Sequence, residues 1–375
     1  GKKAGWLSFG GWINAIIPVL IVPYYSVIGG WVIKYLIEYV KGNGTKLAAD
    51  GYFSEFISNG ASTEICFVIF CLFTLSIIYA GVRNGIERVS KFMMPILVVL
   101  SVIIAIYSVT RPGAIEGVKY FLVPNLKNFS WMTVVAAMGQ MFYSLSIAMG
   151  ILVTFGSYMR KDTSIEDSTR NVEIFDTAIA MMAGLMIIPA VFAFSGGDPD
   201  TLQAGPSLMF ITIPKVLANM GFGTAVGILF FVLVLFAAVT SSIALTESAV
   251  STFEDELGWG RKKATVLTGV IMIALGTLSC LGYGPLDFVK IIGMQFLDFF
   301  DFLTNSVMMP IAALMTSLLV SRVIGVDKIE EEIRHGESAF RRKKIFVVMI
   351  KYLCPIFALI ILASSVANAF GWIAM

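Results

Sequence analysis

The sequence predicts an all-α fold, a polytopic bundle of transmembrane helices, and three observations carry the prediction. Hydrophobic residues make up 57% of the 375 residues and charged ones only 14%, with a mean hydropathy of +0.85. A soluble chain of this length has too little interior to hide so many apolar side chains. Apolar segments of about 20 residues or more recur from one end to the other, each long enough to cross the hydrocarbon core. Lys and Arg cluster in alternate connections, the asymmetry that orients helices in a bilayer. The whole chain, 1–375, reads as a single membrane domain.

Nine spanning segments are expected, at 12–40, 63–81, 92–110, 131–157, 172–196, 222–253, 264–282, 298–322 and 345–371. Most positive residues then fall on one side: Lys2 and Lys3, the clusters within 83–91, 160–170 and 261–263, and those within 322–351. That side is cytoplasmic by the positive-inside rule, so the N-terminus lies inside and an odd number of spans puts the C-terminus outside. On the outer side, 195–221 holds an apolar stretch broken by Pro206 and Pro214, too short to span. It reads as a lid-like hairpin, because residues such as Leu208 and Ile213 need an apolar partner.

The chemistry of an enzyme is missing. Cys66, Cys71, Cys280 and Cys354 all lie in apolar segments without metal or disulfide spacing and read as packing residues. The single histidine, His335, sits in a charged connection, which argues against zinc or haem. No nucleophile–base pair, phosphate loop or nucleic-acid-binding patch appears. What the apolar segments do contain is hydroxyls, an amide and isolated carboxylates, groups that coordinate and release.

These polar groups concentrate in a few places. Gln140, Tyr143, Ser144 and Ser146 lie between Gly139 and Gly150 inside an otherwise apolar segment. A polar, glycine-flanked patch at membrane depth is either a tight helix-packing surface or the broken backbone of a binding site. Thr240, Ser241 and Ser242 stand together in mid-segment; they either bond back to carbonyls a turn earlier or ligate a hard cation. Asp176 opens the fifth segment with no Lys or Arg beside it, and an intramembrane carboxylate is a functional candidate by default. Asp298 and Asp301 pose the same question at the outer end of the eighth segment. Gly85 and Pro95 frame a stretch able to unwind, or are simply a loop glycine and a helix-start proline.

Six stretches together resemble the neurotransmitter:sodium symporter family, in particular its bacterial amino-acid members. They are Val22-Pro-Tyr-Tyr25, the Gly85 to Pro95 spacing, Gly139-Gln-Met-Phe-Tyr-Ser-Leu-Ser146, Ser157-Tyr-Met-Arg-Lys-Asp162, Thr240-Ser-Ser-Ile-Ala244 and Phe253-Glu-Asp-Glu-Leu257, in the family's order. The resemblance implies an inverted-repeat symporter fold with broken helices. It also implies that the chain starts at the family's third helix, so the nine segments are family helices 3 to 11 and helices 1 and 2 lie outside it.

The resemblance implies a site. Ile21, Tyr25, Phe142, Tyr143, Ser144, Ser146, Met149, Ser241 and Leu245 would form the substrate pocket, with Tyr143 rather than Phe142 closing over the substrate. Ser144 and Asp176 would ligate a first sodium ion; Ala237 (through its carbonyl), Thr240 and Ser241 a second. Both sodium sites are incomplete within this chain, the remaining ligands being assigned to helix 1. Tyr25, Tyr143 and Asp301 would belong to the outer gate, and Tyr158 with Asp255 to the inner one. Chloride-dependent members hold an anion beside a glutamine that Gln140 matches; Asp176 would supply that negative charge permanently, so transport should not need chloride. The implied function, in the complete parent protein, is sodium-coupled symport of hydrophobic or aromatic L-amino acids into the cell across a bacterial plasma membrane. Two alternatives stay open: a fragment, remnant or partner subunit that transports nothing, and a permease of related fold driven by another ion.

Overall fold

The computed structural model describes residues 5–127, 129–198, 201–202, 205–337 and 339–372. Eight of its helices are long and apolar enough to cross a membrane. They are α1 (Gly5–Val40, with the span at Ser8–Val40), α2 (Gly60–Tyr79), α3 (Val82–Val109), α7 (Ile165–Ser195), α9 (Gly223–Leu257), α10 (Arg261–Leu281), α11 (Phe296–Ile324) and α13 (Lys343–Ala369). Between them lie α4 (Ala114–Leu122), α5 (Trp131–Ser144), α6 (Ile151–Ser157), α8 (Leu208–Ala218) and α12 (Val326–Gly336). The fourth expected span, 131–157, is not one continuous helix. It is two helices, α5 and α6, separated at 145–150. His335 also differs from expectation: it sits in the last turn of α12, not in a loop.

α1 is the post around which the others stand. Ile13, Ile17, Ile21, Tyr24, Val27, Trp31, Tyr35 and Tyr39 recur every three or four residues and are all buried, one helical face fully covered. That face packs against α2, α9, α10 and α11. Close approach depends on glycine. A Cβ on Gly30 would stand 2.6 Å from the backbone nitrogen of Phe67, and one on Gly276 would stand 2.1 Å from the Phe67 ring. Phe67, fully buried, is thus inserted between α1 and α10, the small-residue packing usual between membrane helices.

Three of the helices, α8, α11 and α13, are jointed by π-turns that precede a proline. Leu208–Thr212 precedes Pro214, Phe302–Met308 precedes Pro310, and Met349–Leu353 precedes Pro355. Proline has no N–H to donate and its ring pushes on the carbonyl four residues earlier. Widening that turn to the i→i+5 pattern relieves the clash while the helix continues. A further π-turn, Val82–Glu87, opens α3 around Gly85, where a Cβ would meet the Ile77 carbonyl oxygen at 2.1 Å.

α8 lies across the Trp31–Tyr39 end of α1. Phe210 stacks on Phe53 (centroids 5.3 Å apart) and meets Trp31 and Tyr35 edge-on at 5.7 and 5.0 Å. The Tyr35 hydroxyl donates to the Phe210 carbonyl at 2.8 Å, and Lys215 pairs with Asp50 at 2.5 Å. Burial of the Phe210 ring alone contributes roughly 2 kcal/mol. Of the stretch expected to form a lid-like hairpin, Pro199, Asp200, Gln203 and Ala204 lie outside the described residues; the described part is dominated by this one short helix.

Gly30→Val tests the post. The backbone of α2 cannot yield as a side chain would, so overpacking should cost roughly 1–3 kcal/mol. Its melting temperature in detergent should fall by several degrees relative to Gly11→Val, which meets nothing within 4 Å.

Candidate functional site

The break between α5 and α6 is the focus of the site. α5 begins with a capping box, Ser130 accepting from the Thr133 N–H while Thr133 accepts from the Ser130 N–H. After Ser144 the chain leaves the helix through a tight turn, with the Ile147 N–H donating to the Phe142 carbonyl at 2.9 Å. Ser146 (φ 55°) and Ala148 (φ 58°) are left-handed, a conformation that costs a residue with a Cβ about 1–2 kcal/mol. Such strain persists where surrounding structure imposes it and clusters at functional sites. Gly150 (φ 76°) is required twice over, since a Cβ would also stand 2.8 Å from the Asn14 carbonyl oxygen and 2.9 Å from Ser248 Oγ.

A cavity of about 470 Å³ opens beside this break. Ile21 and Tyr25 line it from α1, Met94 from α3, and Thr240, Ser241, Ala244 and Leu245 from α9. Gln140, Tyr143, Ser144, Ser146, Met149 and Ile151 complete the wall from the broken helix. Aliphatic and thioether groups make much of the lining; hydroxyls gather where the helix breaks. Ser144 Oγ donates to Asp176 Oδ1 at 2.6 Å. Asp176 is not at the start of its helix, as the sequence suggested, but three turns inside α7, whose first residue is Ile165. Thr240 Oγ1 donates to the carbonyls of Phe236 and Ala237, each at 3.0 Å, and Tyr25 and Ser241 line the cavity near one another.

Of the residues expected in a substrate pocket, all but Phe142 line this cavity. Phe142 is buried beside it and joins the hydrophobic core. Of those expected at cation sites, Ser144 and Asp176 meet directly, and Ala237 offers its carbonyl to the Thr240 hydroxyl. Gln140 and Met94 are further lining residues. Carboxylate, hydroxyl and carbonyl oxygens of this kind suit a hard monovalent cation.

Two polar clusters flank the cavity. On the α8 side, Tyr24 bonds Thr304 Oγ1 at 3.2 Å and lies close to Asp301. Asp301 accepts from Asn305 Nδ2 at 2.6 Å, and Tyr143 lies close to both Asp301 and Tyr25. On the opposite side lie Tyr158 and Asp255, both expected at an inner gate, and they are not bonded to each other. The Tyr158 hydroxyl donates instead to Glu247 Oε1 at 2.7 Å. Glu247 is fully buried, and Arg261 grips both its oxygens, at 3.0 and 2.5 Å. Arg261 Nε donates to the Ile78 carbonyl at 2.9 Å, tying in the end of α2. Asp255 lies two turns farther along α9, exposed to solvent. Glu247 and Arg261 were not anticipated, although Glu247 is the first charged residue after Lys215.

The sequence profile of the sodium:neurotransmitter symporter family matches residues 52–371. An uncharacterised sodium-dependent transporter of Bacillus subtilis, YhdH, is 35% identical over 90% of this chain and 74% of its own length. A second, from Haemophilus influenzae, is 32% identical over 92% of this chain and 76% of its own. Among solved structures, that of MhsT in complex with L-phenylalanine superposes with a TM-score of 0.84 at 33% identity. It covers 97% of this chain and 82% of MhsT.

The Glu247–Arg261 pair yields a stability test. Arg261→Ala leaves a buried carboxylate without its cation, which should cost roughly 3–5 kcal/mol. Adding Glu247→Gln to that variant should restore much of the melting temperature; strictly additive losses would show that the two side chains act independently.

Proposed function

The chain belongs to the sodium:neurotransmitter symporter family, and from that premise we propose that it carries hydrophobic and aromatic L-amino acids into the cell with sodium, without needing chloride. It is a multi-pass membrane transporter and not an enzyme. The observation that carries the finer reading is the Ser144–Asp176 contact, a carboxylate held at 2.6 Å from a hydroxyl in the strained break beside the cavity.

Ser144 and Asp176 supply ligands to one sodium ion. The Ala237 carbonyl, Thr240 and Ser241 supply ligands to another. The Asp176 charge takes the place that chloride fills elsewhere, since two negative charges so close repel. The substrate carboxylate lies toward the Tyr25 hydroxyl, and its side chain toward Ile21, Met149, Ala244 and Leu245. Met149 is unbranched and adapts to side chains of different shape. L-Phenylalanine in the MhsT structure supports this choice of substrate class.

Tyr143 with Tyr25 and Asp301 closes the cavity from one side, and α8 lies over that end as a lid. The Tyr158–Glu247–Arg261 cluster closes the other. The π-turn at Val82–Glu87 is where α3 starts to unwind as that second closure opens. With the Lys- and Arg-rich connections inside, the α8 end faces outward, the chain enters from the cytoplasm and its last span ends outside. Each sodium ion falling through about 100 mV contributes roughly 2.3 kcal/mol to uptake.

Full-length protein in liposomes should accumulate labelled leucine, phenylalanine or tryptophan when external sodium exceeds internal sodium. Equal uptake from choline buffer would refute sodium coupling. Ser144→Ala should raise the sodium concentration for half-maximal uptake about tenfold or more. Asp176→Ser should make transport respond to chloride; an active variant indifferent to chloride would refute the role given to the carboxylate.

A further inference from the structure

α7 carries Asp176, yet its buried residues among those described, Met186, Pro189, Ala190, Val191 and Phe192, all lie in its second half. Its first half is held in another way. Ser164 caps the helix, its hydroxyl accepting from the Asp167 N–H at 3.1 Å. Glu337, just beyond α12, reaches the same turn: its Oε1 accepts from the Ser164 hydroxyl at 2.7 Å and from the Glu166 N–H at 2.8 Å. Glu166 returns the contact. Its two carboxylate oxygens accept from the N–H groups of Arg341 and Arg342, at 3.0 and 2.8 Å, just before α13.

Each acid therefore occupies the positive end of a helix belonging to the other segment. Arg342 Nη1 adds contacts of 2.9 and 3.2 Å to the two oxygens of Glu173, two turns farther along α7. Gly336 lies flat on the opposing loop, where a Cβ would stand 2.5 Å from the Thr163 carbonyl oxygen. The Ser164 hydroxyl, with the Glu166 N–H, holds the Glu337 carboxyl below the usual carboxylate range. No apolar side chain takes part in these bonds, and Arg342 and Glu173 are nearly half exposed. Charge-assisted bonds open to water hold a geometry firmly yet exchange readily.

We infer that Glu337 is a positioning residue: by exchanging caps with Glu166 it fixes the first half of α7, holds Asp176 against Ser144, and lets go when the cavity opens on this side. The distance from Ile165 to Asp176 is about 16 Å along the helix, short enough for a rigid segment to transmit a tilt. The inference rests on Ser144 and Asp176 being cation ligands.

The test uses full-length protein in nanodiscs and liposomes. Glu337→Ala should raise the sodium concentration for half-maximal phenylalanine binding three- to tenfold, and speed hydrogen exchange of the 165–176 amides at least tenfold, with α2 and α10 unchanged. Glu337→Gln, whose amide oxygen still accepts both bonds, should stay within twofold of the parent. An unshifted Glu337→Ala, or a Glu337→Gln equally impaired, overturns the positioning role. Absence of sodium-dependent binding in the parent overturns the proposed function instead, and hydrogen exchange still reads the clasp. Should Glu337→Ala misfold, Glu173→Cys with Arg342→Cys, bridged by a short bismaleimide, decides the matter. Binding retained with uptake cut tenfold supports release; uptake at the unbridged rate overturns it.

Discussion

A backbone at membrane depth has no water to bond to, and the organisation of this molecule follows from that constraint. The interruption at 145–150 exposes peptide groups that a continuous helix would satisfy internally. It is tolerated where protein flanks it: Asn14 and Ser248 press on Gly150, and α1 and α9 supply walls of the cavity beside it. That flanking in turn requires α1 to stand close to its neighbours, hence the glycines facing Phe67 and Phe70. The strained Ser146 and Ala148 are held by this packing, so the geometry that makes a site also depends on helices far from it in sequence.

Charge follows the same logic with a different outcome at two clusters on one side of the site. Glu247 is wholly out of water and is matched by a two-pronged Arg261 and by the Tyr158 hydroxyl. Separating such a group is expensive, so this cluster acts as a cooperative unit that is either assembled or apart. Because Arg261 also holds the Ile78 carbonyl, the end of α2 and the π-turn that follows share its fate. The Glu166–Glu337 exchange is water-accessible by contrast.

The spans were legible because apolar runs of sufficient length have few other uses, and the break was legible as a polar patch between Gly139 and Gly150. That Ile21, Met149 and Leu245 should face one cavity was not a matter of periodicity, which says nothing of which helices adjoin; the motifs suggested it through their resemblance. Glu247 escaped notice because it lies only two turns before Glu254, Asp255 and Glu256, where a carboxylate reads as solvated. Only the fold reveals that it points inward. The partnership of Glu166 with Glu337 joins residues about 170 positions apart, a separation over which local pattern carries no signal. The exact place of the break within 131–157 was not legible for a related reason: hydrophobicity measures the length of a segment, not the continuity of its hydrogen bonds.

The proline-relieving π-turns have a consequence for how the chain tolerates changes in length. Each holds one residue more than an α-helical turn would, and that residue rotates everything beyond it by about 100°. In α11 the extra residue lies within Phe302–Met308 and so helps set the face that brings Thr304 to Tyr24. Losing one residue there would leave a regular helix, one half of which presents the wrong side to its neighbours. The register of this protein is thus stored in a few widened turns rather than along its helices.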